Sequence, residues 1–195
     1  MTMKLRGWVC AAALVAGAGT AGLAGTAPAT PTDRLQLAQA TPSAQTLPGG
    51  ASALNETYRD WIVSCAVQNG ARVCAASQAQ TQQNSGQRVL AIEITTPSQG
   101  AATGTLVLPF GLALDAGVTL QVDDRPATKP LRFRTCLPAG CTVPLAFDPA
   151  MLTALRAGTS LKVKAVAAAD GTEVVLSISL QGLAPALDRL TTIAK

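Results

Sequence analysis

Histidine is missing from the sequence, and aromatic residues are scarce. Without an imidazole, the chain has neither a histidine general base nor a histidine-ligated metal site. Aromatic residues make up 3% of the 195 residues, so the interior must be built mainly from leucine, valine and isoleucine. We expect a few large side chains to complete this aliphatic core: Trp61, Phe110, Phe133 and Phe147.

Charged residues are also scarce, at 13% of the chain, which is about half of the usual share. The formal net charge is +4. Two of the cations, Lys4 and Arg6, lie in an N-terminal segment that we expect to be removed, which leaves about +2. A charge of this size gives no reason to expect a nucleic-acid partner.

Residues 1–27 have the three parts of a secretory signal peptide. The two basic residues precede an apolar run over residues 8–23, small residues follow, and cleavage is expected after Ala24 or Ala27. The alternative is a retained membrane anchor, but the run is short and interrupted by glycines, so we expect no stable membrane span after cleavage. We therefore predict an exported protein that is periplasmic, secreted or displayed on the cell surface.

The segment that follows, residues 28–56, is rich in threonine, proline, alanine, glutamine and glycine. It contains almost no large apolar residue. Such a composition cannot bury enough surface to offset the entropy of an ordered chain. We predict a disordered linker over residues 28–56 and a folded domain over residues 57–192.

Four cysteines lie in the predicted domain, and they permit three disulfide connectivities. They are Cys65, Cys74, Cys136 and Cys141. A redox-active pair is usually C-x-x-C at the start of a helix, and a four-thiolate zinc site needs closely spaced pairs. The spacings here are eight and four intervening residues, which favours structural disulfides in an exported protein.

Turn chemistry indicates which cysteines pair. Asn69-Gly70 is a strong signal for a two-residue hairpin loop, because both residues tolerate a positive φ. Counting outward from that loop places Cys65 opposite Cys74 in a non-hydrogen-bonded pair, with Cα atoms about 4.5 Å apart. A disulfide can span this distance, so we prefer the bridge 65–74. The second bridge, 136–141, would then close a short turn.

Alternating apolar residues separated by turn signals predict most of the remaining structure as short strands. They cover residues 61–67, 87–95, 103–108, 118–122, 131–135, 160–167 and 173–180. One helix is expected after Asp148, which is a good N-cap before Pro149, and it should end at Gly158. A second short helix is predicted over residues 183–190. Eight or nine strands with such turns indicate an all-β sandwich or barrel.

Four basic residues alternate along two of the predicted strands. If those strands are neighbours, the residues form a stripe that can meet an acidic glycan, a lipid head group or a protein, although a solvated face is the plainer interpretation. The four are Arg132, Arg134, Lys162 and Lys164.

No catalytic set is recognisable. Asp123 and Asp124 are adjacent, so they would point to opposite faces of a strand, and a turn is a better interpretation than a catalytic carboxylate pair. Serine and threonine residues have no evident base except Lys162 or Lys164, and nothing marks a nucleophile elbow. We expect no catalytic residues, no metal and no cofactor, and thus a protein that is not an enzyme.

Several short motifs, in their order along the chain, resemble those of the invasion-associated locus B family of exported bacterial proteins. The most specific is the segment Arg134-Thr135-Cys136 with Gly140-Cys141. A phenylalanine is common in the family where this chain has Leu183, a small departure. The other matching elements are Asp60-Trp61, Ser85-Gly86-Gln87-Arg88-Val89-Leu90, Pro109-Phe110-Gly111 and Ser179-Leu180-Gln181-Gly182-Leu183.

The resemblance implies a periplasmic or surface-exposed immunoglobulin-like β-sandwich, with relatives that are associated with host-cell invasion in pathogens. It brings no established catalytic residues. The expected function is a non-enzymatic, disulfide-stabilised binding protein whose partner is an unknown envelope or host protein or glycan. Two alternatives stay open. One is a thiol-handling envelope protein. The other is an inhibitor that would insert a rigid loop, with Pro138 and Ala139 at its tip, into an envelope enzyme.

Overall fold

A computed structural model describes residues 46–81, 88–95, 97 and 99–194. The predicted signal peptide and residues 28–45 of the predicted linker lie outside this part of the chain.

The described residues form ten strands, two α-helices and two 3-10 turns. The strands are β1 (Ala53–Tyr58), β2 (Trp61–Gln68), β3 (Ala71–Thr81), β4 (Arg88–Thr95), β5 (Ala102–Leu108), β6 (Thr119–Val122), β7 (Thr135–Leu137), β8 (Gly140–Phe147), β9 (Ser160–Val166) and β10 (Glu173–Ser179). The helices are α1 (Pro149–Ala157) and α2 (Leu183–Ile193), and the 3-10 turns are Pro48–Gly50 and Leu114–Ala116.

All strand pairings are antiparallel, in two sheets. One sheet has seven strands in the order β1-β2-β3-β4-β5-β8-β7, and the other has three in the order β10-β9-β6. The prediction of an all-β sandwich with two short helices is confirmed, with ten strands instead of eight or nine. The immunoglobulin-like connectivity stays a prediction.

The core lies between the two sheets and is almost entirely aliphatic. In β4 and β9 every second residue is buried, so each strand presents one apolar face. Trp61 and Phe147 are buried as predicted, but Phe133 is only half-buried and Phe110 is 58% exposed. The expectation that Phe110 belongs to the core is therefore wrong. It lies in the loop after β5, where no strand register forces a side chain inward.

The N-terminal boundary of the domain also differs from the prediction. Residues 53–56, assigned to the linker, form most of β1, which pairs with β2, and Leu47 is only 2% exposed. In α2, Arg189 donates from Nε and Nη2 to the two carboxylate oxygens of Glu56 at 2.8 and 2.7 Å. The composition of residues 53–56 did not predict a strand, because their own apolar content is low. Pairing with β2 and the contact with α2 hold β1 in place.

The two sheets are joined by side chains that bond to the backbone of β10. The indole Nε1 of Trp61 and the amide Nε2 of Gln78 donate to the carbonyl oxygen of Ser179 at 2.9 and 3.0 Å. The amide of Gln80 donates to the carbonyl oxygen of Ser177 at 2.7 Å. These bonds satisfy polar groups at the seam between the sheets, where an unpaired carbonyl would be costly.

Helix α1 begins and ends as its sequence predicts. The carboxylate of Asp148 accepts a hydrogen bond from the backbone N–H of Met151 at 2.7 Å, Pro149 is the first helical residue, and Gly158 is the C-cap. Helix α2 extends three residues beyond the predicted end because Ile193 is buried in the core. Its apolar side also includes Leu183, Leu187 and Leu190.

We expect Gly182→Ala to be strongly destabilising. Gly182 has a φ of 90°, and an added methyl group would overlap the carbonyl oxygen of Tyr58. Gly171 is the matched control, because its φ is 74° but nothing lies within 4 Å of its methyl position. Chemical denaturation should show a loss of about 1 kcal/mol for Gly171→Ala, from backbone strain alone, and about 3 kcal/mol for Gly182→Ala. Equal losses would contradict the packing argument.

The ion pair between Glu56 and Arg189 should stabilise the fold in a pH-dependent way. A double-mutant cycle with Glu56→Gln and Arg189→Met should give a coupling energy of about 1 kcal/mol at neutral pH. The hydrogen bonds from Arg189 hold the pKa of Glu56 below its ordinary value. The stability that these hydrogen bonds contribute to the fold is therefore present at neutral pH, and it is lost as the pH falls through that lowered pKa.

The control for this cycle is the ion pair between Arg156 and Asp188, whose aspartate side chain is 69% exposed. Urea denaturation at neutral and acid pH should give this control pair a smaller coupling energy, since water screens it. A Glu56–Arg189 coupling that is absent at neutral pH, or that persists unchanged in acid, would contradict the role assigned to the pair.

Candidate functional site

The first disulfide, Cys65–Cys74, links β2 and β3 at the register predicted from the Asn69-Gly70 loop. Cys65 lies opposite Cys74 and Gln68 lies opposite Ala71. The Cα atoms are 4.1 Å apart, close to the predicted spacing. The two residues are 4% and 8% exposed, so this bridge is part of the core.

The second disulfide, Cys136–Cys141, closes the hairpin of β7 and β8 with its Cα atoms 3.9 Å apart. It is asymmetric in exposure, because Cys141 is 3% exposed while Cys136 lies on the surface. Pro138 and Ala139 form the two-residue tip between the paired residues Leu137 and Gly140, and both are exposed. The tip is thus a rigid projection at the edge of the seven-stranded sheet.

The two strands whose adjacency a basic stripe would require are not neighbours in the structure. Residues 132–134 are not in a strand, and Leu131 forms an isolated bridge with Val118. That bridge lies on the edge of β6 that faces away from β9. Arg132 and Arg134 are therefore separated from Lys162 and Lys164, which lie in β9. The condition for a stripe, that the two strands are neighbours, is not met, because β6 lies beside β9 and β7 joins the other sheet.

The two pairs of basic residues also differ in their contacts. Lys162 forms an ion pair with Asp124, with Nζ and Oδ1 3.4 Å apart. Arg132 and Arg134 are exposed, and in the described part of the chain neither guanidinium has an ion pair or a side-chain hydrogen bond. Of these four residues, the two arginines are exposed, whereas Lys162 and Lys164 are half-buried.

The connection that carries these arginines is held in place at both ends. Leu131 donates its backbone N–H to Val118 at 2.7 Å, and Arg134 donates its backbone N–H to Thr142 at 2.8 Å. Leu131 and Phe133 are half-buried and pack against the core. The alternation of the chain therefore directs Arg132 and Arg134 outward, while Leu131 and Phe133 anchor the backbone.

A groove of about 400 Å³ runs beside this connection. Its lining combines the two arginines with one carboxylate and several apolar groups: Leu114, Asp115, Arg132, Phe133, Arg134 and Thr135. Leu114 is 45% exposed. Leu137, two residues after Thr135, is 53% exposed.

Phe110 is placed near the same end by the register of β5. It follows Leu108, whose partner is Cys141 at the base of the hairpin. We use the name cationic rim for four groove residues, Leu114, Arg132, Phe133 and Arg134, together with Phe110 and Leu137, which the register places beside the hairpin. Sequence reasoning identified its arginines but missed its exposed apolar residues. The position of Phe110 between Pro109 and Gly111, in a loop, was the available signal.

Asp123 and Asp124 have structural roles rather than forming a paired site. The carboxylate of Asp123 accepts hydrogen bonds from the backbone N–H groups of Thr159 and Ser160 and from the Thr159 hydroxyl, at 2.9 to 3.2 Å. These bonds, the one from Ser160 above all, hold the pKa of Asp123 below its ordinary value. Arg125 donates its backbone N–H to Val122 at 2.9 Å, which confirms the predicted turn.

No group of three or more cysteine, aspartate, glutamate or histidine residues in the described part of the chain is placed to hold a metal ion. Neither helix of the described domain has the length and apolar character needed to cross a membrane.

The fold and its bridges define a disulfide-stabilised all-β sandwich with an exposed cationic rim. The profile of the invasion-associated locus B (IalB) family matches residues 61–191. The chain belongs to this family.

Named relatives support the assignment. An invasion protein B homolog of Brucella abortus is 43% identical over 152 residues, which cover 78% of this chain and 87% of the relative. Invasion protein B of Bartonella bacilliformis is 39% identical over 157 residues, covering 79% and 83%. The crystal structure of invasion-associated protein B from Bartonella henselae superposes with a TM-score of 0.67 at 37% identity, and covers 71% of this chain and 95% of that one.

We expect the two disulfides to differ in reactivity. A thiolate must reach a sulfur atom to reduce a disulfide, and Cys136 is exposed whereas both residues of Cys65–Cys74 are buried. Under mild reductant, thiol labelling followed by mass spectrometry should detect Cys136 and Cys141 first. In denaturant the two disulfides should be reduced at similar rates. Reduction of Cys65–Cys74 first, or of both bridges at one rate in the folded protein, would contradict the prediction.

Proposed function

We propose that this protein is an exported, non-enzymatic binding protein of the bacterial cell envelope that contacts its partner through the cationic rim. The predicted signal peptide and the two disulfides support export to the periplasm or cell surface, an oxidising environment. The relatives from Brucella abortus and Bartonella are named as invasion proteins. A role at the boundary between the cell and a host is therefore included in the proposal.

One observation carries the proposal. Arg132 and Arg134 are exposed and have no ion pair within the described domain, and exposed apolar side chains lie at the same end. Exposed apolar residues grouped with arginine are typical of interaction surfaces. The rim is also rigid, since the backbone bonds at residues 131 and 134 and the disulfide at its edge hold it. Rigidity lowers the entropy lost on binding.

The carboxylates support a non-enzymatic role, because several of them are engaged in structural contacts. Glu56 is paired with Arg189, Asp123 holds the start of β9, Asp148 caps α1, and Asp170 accepts hydrogen bonds from Thr172. A catalytic carboxylate would instead be expected to face a cleft with a perturbed pKa raised toward neutrality. The pKa values of Glu56, Asp123 and Asp170 are lowered.

The proposal is tested by binding of the processed protein to washed envelope preparations. The double variant Arg132→Gln/Arg134→Gln should bind at least about tenfold more weakly, since arginines often dominate interface energies. Lys162→Gln/Lys164→Gln removes the same charge from β9, outside the rim, and is the matched control, with binding expected to be unchanged. Saturable binding that both double variants retain, or both lose equally, would remove the rim from the function.

The exposure of Cys136 favours one second candidate, a thiol-handling protein of the envelope. In that case the 136–141 bridge should exchange with small thiols and with a reduced protein substrate, while Cys65–Cys74 stays intact. Failure of both bridges to react with mild thiols in the folded protein would exclude this candidate.

A further inference from the structure

We infer that the cationic rim docks on the surface of an anionic lipid bilayer, as a peripheral contact. The inference rests on the proposed function, since it names the partner of the rim. Three groups of observations carry it: exposed apolar side chains that project, cations without partners beside them, and a rigid backbone beneath both.

The apolar part of the rim is unusual for the surface of this protein. Six large apolar residues of the described chain are exposed, and three of them belong to the rim. They are Phe110, Leu114 and Leu137, at 58%, 45% and 53% exposure. Phe110 follows the end of β5 and Leu137 borders the hairpin tip, so both lie where the chain turns rather than on a flat sheet face. Apolar side chains at such positions can enter the boundary between head groups and acyl chains.

The charged part has the sign that an anionic surface requires. Between Asp124 and Asp148 the sequence contains four basic residues and no acidic one. All four, Arg125, Lys129, Arg132 and Arg134, are exposed and have no ion pair in the described domain. The one carboxylate beside the groove is Asp115. Clustered cations next to apolar side chains are the usual basis of attraction to anionic lipid.

The chemistry of the rim favours anionic lipid over other anionic partners. A glycan is usually recognised by amide and carboxylate side chains that bond to its hydroxyl groups, and the groove offers only Asp115 and Thr135 besides its arginines. An acidic peptide that adds a strand needs a long free edge, whereas β7 has three residues. Neither partner would account for the exposed Phe110 and Leu137. A bilayer accounts for both the apolar and the cationic groups.

The test is sedimentation of the processed, oxidised protein with vesicles. Phosphatidylcholine vesicles containing phosphatidylglycerol should bind the protein at least about tenfold more tightly than vesicles of phosphatidylcholine alone, and added salt should weaken the binding. Arg132→Gln/Arg134→Gln should reduce binding about tenfold through loss of charge. Phe110→Ser/Leu137→Ser should reduce it about tenfold through loss of apolar contact.

The matched control is again Lys162→Gln/Lys164→Gln, which should bind anionic vesicles within about twofold of the parent if the rim, and not the net charge, is responsible. Thermal unfolding of each variant shows whether it is folded. All six positions lie at or near the surface, so the variants should unfold close to the parent temperature.

Four outcomes would overturn the inference: equal binding to neutral and anionic vesicles, vesicle binding that the rim variants do not weaken, equal weakening by the lysine control, or no vesicle binding. Binding of soluble polygalacturonate that needs the arginines but not Phe110 and Leu137 would assign the rim to an anionic glycan instead. If the protein binds envelope preparations through the rim but binds no vesicle, the proposed function stands and only the lipid partner is rejected. Binding to neither rejects both.

Discussion

The structure depends on covering one face of a seven-stranded sheet with a sheet of only three strands. Three strands are too few, and α2 covers the remaining area. Its buried side chains, from Leu183 to Ile193, belong to the same core as β2 and β3. Because the three-stranded sheet and α2 together cover the larger sheet, the chain needs few aromatic residues to fill its core. Aliphatic side chains on alternating strand positions and one helix face meet in a single continuous interior.

Local signals in the sequence were enough to predict much of this fold. The Asn69-Gly70 loop set the pairing of Cys65 with Cys74, because the geometry of a two-residue hairpin determines every pair that follows. Asp148 and Gly158 marked the two ends of α1 for similarly local reasons. Strand β1 was missed because its own residues carry little apolar content, and its place depends on pairing with β2 and on the bond between Glu56 and Arg189 of α2. No pattern within residues 53–58 reports a partner more than a hundred residues away.

The candidate site was also predicted only as far as local sequence patterns allow. Alternation correctly placed Arg132 and Arg134 outside the core, but it could not show which strands are neighbours. The predicted stripe with Lys162 and Lys164 required an adjacency that the topology does not provide. The apolar residues of the cationic rim were harder still, since a phenylalanine or leucine is expected to be buried until the loop that carries it is seen. Family membership gives the fold and the bridges of the site, while the rim emerges only from the assembled surface.

The hydrogen bonds from Gln78 and Gln80 to the carbonyl groups of β10 have a consequence for the protein in solution. Strand β10 ends its sheet, and the carbonyl groups of Ser177 and Ser179 point outward from that end. An edge of this kind can recruit a strand from another molecule and begin aggregation. Two glutamine side chains occupy these acceptors, so part of the template is already filled. The chain thereby protects part of this edge from pairing with another molecule.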